Sequence, residues 1–257
     1  MGSKPKIAPA EWKNNVRFVL VSPRESGNVG ASARAIKNMG FARLGLVDAP
    51  EPLGDEAQWF ARNAHDVLDS AERFATIGDA LSGAALIVGT TRRKGRKRGV
   101  FLPIETASRR IREVAETQGV VVLFGGERKG LSNEQAEQCN LLFSIPVGSA
   151  EQPSLNLAQA VLIAAYEISR AGQTAPERPT QGAEALVLAT HDELSEFYDR
   201  IASLLGTLGY TQRGDSDIER KIMRLIRQFI GRAGMAEWEL KMLLGLCSRV
   251  DDRLSKQ

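Results

Sequence analysis

The amino-acid sequence predicts an α/β fold, in which a parallel sheet carries helices on both faces and is followed by a small all-α extension. Three observations support this prediction. Short apolar runs alternate with helical patterns through residues 1–170, as they do in βαβ units. The runs are too continuously apolar for a sheet that faces water on one side. Residues 185–257 carry helical patterns only.

Six segments predict the strands, because each is a short apolar run bounded by turn residues. They are residues 16–21, 43–47, 74–77, 84–88, 120–124 and 141–146. In a parallel sheet the carboxyl ends of the strands lie at one edge. The loops that follow these strands are therefore expected to lie near one another.

Helical periodicity predicts the segments that connect the strands. They are residues 28–39, 55–63, 66–73, 104–118, 131–138 and 155–170. Gly40 is placed to end the first of these helices. Ser154 stands where the N-cap of the last one is expected, with Asn156 inside its first turn.

The chain is predicted to divide into a main domain, residues 1–170, a linker, residues 171–184, and a helical extension, residues 185–257. The linker is rich in Pro, Gly, Thr and Gln, which disfavour regular structure. Three helices are predicted in the extension, at residues 190–208, 218–232 and 236–254. So few residues would be marginally stable alone, so the extension should pack on the main domain or on a partner.

Composition is typical of a soluble globular protein, and it excludes several classes of function. The net charge of +3 is only mildly basic, so any contact with nucleic acid must depend on where the charge lies. Cys139 and Cys247 are too far apart, and too isolated from His, for a zinc site or a disulfide framework. The only histidines, His65 and His191, lie far from any Ser and Asp pattern of a hydrolase. Residues 1–10 lack a signal peptide's apolar core. We expect a cytoplasmic protein without a metal.

A glycine-rich loop follows the predicted strand 120–124. Gly125, Gly126 and Gly130 allow the backbone to approach a ligand closely, and Glu127 adds a carboxylate at the strand end. The spacing matches neither a P-loop nor a dinucleotide-binding fingerprint. By itself this segment could equally be a turn with a surface carboxylate.

Two further segments carry polar residues at predicted strand ends. Asn28 and Arg34 follow the first strand, and Arg34 lies among small apolar residues where an unused charge is awkward. An N-cap and a solvated charge are the alternatives for this pair. Residues 145–160 join the last strand to the last helix through a loop rich in Gly, Ser and Pro, the kind of crossing where α/β proteins bind ligands.

A basic run follows the predicted strand 84–88. It contains six positive side chains within seven residues: Arg92, Arg93, Lys94, Arg96, Lys97 and Arg98. Such a run repels itself unless it is solvated or contacts a polyanion. We favour contact with RNA phosphates, with Phe101 as a candidate for stacking on a base; a solvated loop is the alternative.

Three of these segments, taken in order, resemble the motifs of the SpoU class of SPOUT RNA ribose methyltransferases. The first is Asn28-x-Gly30-x-x-x-Arg34. The second is Leu123-Phe-Gly125-x-Glu127-x-x-Gly130-Leu131. The third is Ile145-Pro146 with Ser154-Leu155-Asn156-x-x-x-Ala160. The extension, with Leu194-x-x-Phe197-Tyr198, is similar to that of the TrmJ branch of the class, so the resemblance covers nearly the whole chain.

The resemblance implies a fold, a reaction and a set of site residues. The fold would contain a C-terminal trefoil knot, a rare exception among protein chains, and the protein would be a homodimer. The cofactor would be S-adenosylmethionine and the substrate the 2′-hydroxyl of nucleotide 32, C or U, in tRNA; another tRNA position or rRNA is the alternative. The residues implied in cofactor binding are Thr90, Gly125, Gly126, Glu127, Ile145, Val147, Ser154 and Leu155. Those implied in catalysis are Asn28, Arg34, Glu127, Ser154 and Asn156.

Two questions stay open at this point. Arg34 could act as a base or as an electrostatic stabiliser of a forming alkoxide, because a neutral guanidine is costly. Two rival classes also remain. A binding-only protein of the same fold would be expected to lose Asn28, Arg34 or Asn156, all of which are present. A base methyltransferase of the wider SPOUT group would carry different loops and would lack the first motif as it stands here.

Overall fold

The computed structural model of the protein describes residues 11–92, 100–148, 155–172, 187–210 and 218–254. Its centre is a parallel sheet of seven strands, in the order β3-β2-β1-β6-β4-β7-β5. The strands are β1 Val16–Val21, β2 Arg43–Val47, β3 Glu72–Phe74, β4 Leu86–Thr90, β5 Phe101–Pro103, β6 Val120–Gly125 and β7 Leu141–Ser144. The predicted α/β class is confirmed.

Seven α-helices accompany the sheet within the described part of the main domain, together with two short 3-10 helices, Glu11–Asn15 and Arg62–Ala64. The α-helices are α1 Ser26–Asn38, α2 Asp55–Ala61, α3 His65–Asp69, α4 Ile77–Leu81, α5 Ile104–Ala115, α6 Asn133–Glu137 and α7 Leu157–Arg170. Helices α1 and α2 pack on each other, and α7 packs on α1 and α5.

Successive side chains of β1 point to opposite faces of the sheet, and both faces are buried, which explains why its apolar run is continuous. Phe18 and Leu20 are fully buried in one cluster, with residues of α1, α2, α5 and α7. Val19 is fully buried in a second cluster, on the other face of the strand, with residues of α4. Because both faces of the strand are buried, every position favours an apolar side chain.

Several predicted boundaries were wrong by a few residues, and one strand and one α-helix were missed. Strand β3 ends at Phe74, where the predicted strand began, and β4 begins at Leu86 rather than at residue 84. Strand β5 was not predicted because it has three residues and ends in Pro103, a residue that strands tolerate only at edges or ends. Helix α4 was missed because its five residues are too few to show a periodicity.

The helical extension consists of α8 His191–Thr207, α9 Ile218–Ala233 and α10 Glu237–Leu254 in its described residues. These helices bury an apolar cluster of their own. They also pack on the main domain, because Leu188 exchanges two hydrogen bonds with the side chain of Gln118 and Gly231 lies against the backbone of Asn140.

Within the described segments, no helix combines the length and the apolar character that crossing a lipid bilayer requires.

Candidate functional site

Four neighbouring strands, β1, β6, β4 and β7, bring their carboxyl ends to one edge of the sheet. The loops that leave β6, β4 and β7 enclose a pocket. Seven of the residues implied in cofactor binding line it: Thr90, Gly125, Gly126, Glu127, Ile145, Val147 and Leu155. The pocket also has apolar walls from Phe124, Leu157 and Ala160 and a basic side with Arg92, Arg128 and Lys129. The structure therefore brings three separate loops to one cavity.

The glycine-rich loop after β6 folds back tightly on itself. A Cβ atom at Gly125 would lie 2.1 Å from the carbonyl carbon of Gly130 and 2.1 Å from the nitrogen of Leu131. Gly130 has a φ of 61°, and a Cβ there would meet no atom within 4 Å. The loop therefore requires glycine for two reasons, close packing at one position and a left-handed backbone at the other.

A chain of hydrogen bonds between side chains connects the segments that follow β1, β6 and β7. The Nδ2 atom of Asn156 donates to Oδ1 of Asn28 at 2.8 Å. The Nδ2 atom of Asn28 donates in turn to Oε1 of Glu127 at 2.9 Å. These residues are separated by 128 and 99 positions along the chain, so the contact depends on the order of the strands.

The cap of α7 determines the direction of this chain. Asn156 is the N-cap, and its Oδ1 accepts from the backbone nitrogens of Ala158 at 2.9 Å and Gln159 at 3.4 Å. Because the oxygen faces the helix, the amide nitrogen must face Asn28. Asn28 must then accept with its oxygen and donate with its nitrogen to Glu127.

The predicted N-cap of α7 was wrong. The sequence favoured Ser154 as the cap with Asn156 inside the first turn, whereas the helix begins at Leu157 and Asn156 caps it. Both residue types are good caps. The reciprocal bond from the backbone nitrogen of Asn156 to Oε1 of Gln159, at 3.3 Å, favours the later start.

Glu127 acts as an acceptor for groups on the loop after β1. The backbone nitrogens of Arg24 and Glu25 donate to its carboxylate at 3.0 and 3.3 Å. Burial alone would raise the pKa of Glu127, but the bonds from Asn28 and from backbone N–H groups outweigh it and lower the pKa. The carboxylate is thus held in its charged form, which makes it a structural acceptor and a poor proton acceptor.

Arg34 is not brought to the pocket of its own chain. It lies on α1, two turns beyond Asn28, with its side chain exposed. Its neighbours Ala33, Ala35 and Ile36 are buried, so the guanidinium points away from the core. Among the described residues it makes no hydrogen bond or ion pair. Within one chain, the role predicted for Arg34 in catalysis therefore stays a prediction.

Two groups of predicted site residues lie outside the described segments. Ser154 belongs to residues 149–154, and the basic run lies in residues 93–99 except for Arg92. Arg92 is exposed and lines the pocket. Phe101, the candidate for stacking, lies half-buried in the edge strand β5.

The sequence did not reveal the contribution of Arg24 and Glu25, because they bond to Glu127 through their backbone nitrogens. Backbone donors carry no residue signature. It also did not reveal Phe60, whose ring contacts Gly27 beside Asn28. Helix α2 is too short for its pattern to separate a core residue from a surface one.

Comparison with known proteins gives a consistent result. The sequence pattern of the SpoU rRNA Methylase family matches residues 15–166. The chain is 32% identical over 239 residues to the tRNA (cytidine/uridine-2′-O-)-methyltransferase TrmJ of Sodalis glossinidius, covering 93% of this chain and 92% of that protein. It is 35% identical over 243 residues to the tRNA (cytidine/uridine/adenosine-2′-O-)-methyltransferase TrmJ of Pseudomonas aeruginosa, covering 91% and 92%. The crystal structure of TrmJ from Z. mobilis is similar with a TM-score of 0.76 and 30% identity, covering 91% of this chain and 98% of that one.

The bonds to Glu127 generate a prediction about stability and pH. Glu127→Gln replaces an acceptor oxygen by an NH₂ group that faces N–H donors, so it should lower the free energy of unfolding at pH 7 by on the order of 1 kcal/mol. The lowered pKa of Glu127 means that the wild-type contribution is fully present above the ordinary value of 4.5 and is lost as the pH falls through the folded value. Urea unfolding should therefore show that the free energies of unfolding of wild type and Glu127→Gln differ at pH 7 and converge in acid.

Glu196→Gln is the matched control, because Glu196 is exposed on α8 and makes no hydrogen bond within the described segments. This substitution should leave the urea unfolding curve unchanged at pH 7 and in acid. A difference between wild type and Glu127→Gln that stays constant down to low pH would contradict the charged-acceptor role.

Proposed function

The chain belongs to the SpoU rRNA methylase family, and on that premise we propose that it transfers a methyl group from S-adenosylmethionine to a ribose 2′-hydroxyl of tRNA. The proposed target is nucleotide 32, C or U, in the anticodon loop of cytoplasmic tRNA. The relatives named above carry tRNA 2′-O-methyltransferase in their names and align with more than nine tenths of the chain. The observation that carries the proposal is the Asn156–Asn28–Glu127 chain beside the pocket.

The pocket fits S-adenosylmethionine by its chemistry. Ile145, Leu155 and Leu157 offer apolar walls of the kind that hold a flat base. The charged carboxylate of Glu127 lies at the same pocket and would favour a positively charged sulfur. When bound, S-adenosylmethionine supplies a methyl group on a sulfonium, which is a strong electrophile. The chain's residues then have to orient the ribose hydroxyl and assist the loss of its proton.

Asn28 and Asn156 keep unused hydrogen-bonding capacity for a ribose. Each amide group has two N–H bonds, and one of them is committed in the chain of hydrogen bonds. Within the described segments the second N–H of each has no acceptor, so it could donate to a sugar oxygen. Asn28 also retains an acceptor lone pair for a hydroxyl proton. We assign the two asparagines to holding the ribose, and Glu127 to holding Asn28.

We propose that Arg34 acts in a homodimer, on the site of the partner subunit. Arg34 is exposed and does not line the pocket of its own chain, and both observations support this assignment. Exposed apolar side chains on α7, Leu162 at 40% and Tyr166 at 45%, support a second chain covering this helix. At the partner's site the guanidinium would stabilise the negative charge that develops on the ribose oxygen, or would accept its proton.

Three further assignments complete the proposal. The main domain, residues 1–170, would contain a trefoil knot, with residues 171–184 as the linker to the extension. Ser154 would contact both cofactor and ribose. The six basic residues from Arg92 to Arg98 would contact RNA phosphates and make binding depend on salt.

The first prediction concerns the product. Unmodified tRNA transcripts incubated with labelled S-adenosylmethionine should gain one ribose methyl group at nucleotide 32, located by nuclease digestion and mass spectrometry. A transcript with a 2′-deoxy nucleotide at position 32 is the matched control and should accept no label there. Label at another tRNA position or in rRNA would support the alternative substrates. Label on a base, or none on any RNA, would contradict the reaction.

The second prediction concerns the dimer. Arg34→Ala and Asn156→Ala chains should each be nearly inactive alone. Mixed dimers of the two contain one complete site if Arg34 acts across the interface, so random mixing should restore about one quarter of wild-type activity. Mixing Asn28→Ala with Asn156→Ala is the control. These two residues bond within one chain, so no complete site can form. Confirmed mixed dimers of the first pair without recovery would exclude action in trans.

A further inference from the structure

An open concavity lies beside Asn28, apart from the pocket of the glycine-rich loop. Its volume is about 620 Å³, and its lining includes Arg24, Asn28, Asn156 and Phe60. The two asparagines therefore face this space as well as bonding to each other. Phe60 has no role in the proposed function.

Close packing of α1 on α2 fixes the ring of Phe60 next to Asn28. A Cβ atom at Gly30 would lie 1.9 Å from the carbonyl oxygen of Ala57, so the two helix backbones touch there. One turn away, a Cβ at Gly27 would lie 3.1 and 3.2 Å from Cδ2 and Cε2 of Phe60. The ring thus rests edge-on against the helix that carries Asn28.

The rest of the ring faces solvent. Phe60 is 54% exposed, although burial of such an apolar side chain is favourable. Arg24 is exposed, lines the same concavity and makes no side-chain bond within the described segments. Amide groups, an exposed cationic residue and an exposed ring therefore surround one space.

We infer that Phe60 is the stacking surface for a nucleobase of the substrate RNA, at the target nucleotide or directly beside it. The inference rests on the proposed function. Each part of a nucleotide finds its usual protein partner here: a base stacks on an aromatic ring, a ribose bonds to amides and a phosphate pairs with Arg. Glu25 and Glu56 also line the space, which disfavours a free anion and favours a base with N–H donors.

The test compares variants of Phe60 on unmodified tRNA transcripts with saturating S-adenosylmethionine. Phe60→Leu keeps an apolar side chain but removes the π face, and should lower kcat/KM for tRNA roughly tenfold. Phe60→Tyr should stay within about twofold of wild type. Trp59→Leu is the matched control, because Trp59 is 66% exposed on the same helix but does not line the concavity. It should leave kcat/KM unchanged.

Transcripts with one abasic nucleotide identify the stacking partner. Abasic sites are placed at the nucleotide that wild type methylates and, separately, at each of its two neighbours. At one of the three positions, the abasic site should lower kcat/KM of the wild type about as much as Phe60→Leu lowers it on the intact transcript. On that abasic transcript, Phe60→Leu should then have the same kcat/KM as the wild type. A Leu effect of equal size on all three abasic transcripts would overturn the inference, because the ring would then act only through the protein.

Two other outcomes would also overturn it. Unchanged kcat/KM in Phe60→Leu would remove the ring from RNA recognition while leaving the proposed reaction intact. A weakened dimer in sedimentation, at the concentration of the assay, would mean that a second copy of the chain covers the ring. A wild type that methylates no RNA would instead overturn the proposed function, and this inference with it.

Discussion

The hydrogen bonds from Asn156 to Asn28 and from Asn28 to Glu127 are the constraint on which the site depends. They join the loops that follow β1, β6 and β7. A parallel sheet delivers those loops to one edge, but it does not determine which groups touch. The cap of α7 does so, because it commits the oxygen of Asn156 to the helix and leaves its nitrogen to donate. A requirement of helix geometry thereby orders polar groups that lie far apart in the chain.

The same chain lies between two spaces of different character. Glu127 borders the pocket with apolar walls, whereas Asn28 and Asn156 border the open concavity. In the proposed reaction the methyl donor would occupy the first and the ribose the second, so transfer would cross the chain of hydrogen bonds. The lowered pKa of Glu127 fits a fixed acceptor better than a catalytic base. In the proposed dimer the ribose proton would then pass to Arg34 of the partner subunit or to solvent.

The sequence predicted the fold class and most of the pocket, and particular residues show where such prediction ended. Residues 16–21 form β1 as predicted because both faces of that strand are buried. Most of the residues that line the pocket were predicted from the resemblance to the family's motifs. The expectation that loops after parallel strands meet at one edge of the sheet supported that prediction. The order β3-β2-β1-β6-β4-β7-β5 could not be predicted, because it depends on contacts between distant segments. Phe60 was missed because its importance comes from the close approach of α1 and α2 at Gly30 and not from any pattern within α2.

A double-mutant cycle on Asn28 and Asn156 tests most directly whether the hydrogen-bonded chain acts as a unit. Single-turnover rates of methyl transfer to a tRNA transcript would be measured for Asn28→Ala, Asn156→Ala and the double variant. If the chain acts as a unit, each single substitution breaks it, and the double variant should be only about as slow as the slower single variant. Rate losses that multiply would show that the two asparagines act independently and would contradict the account.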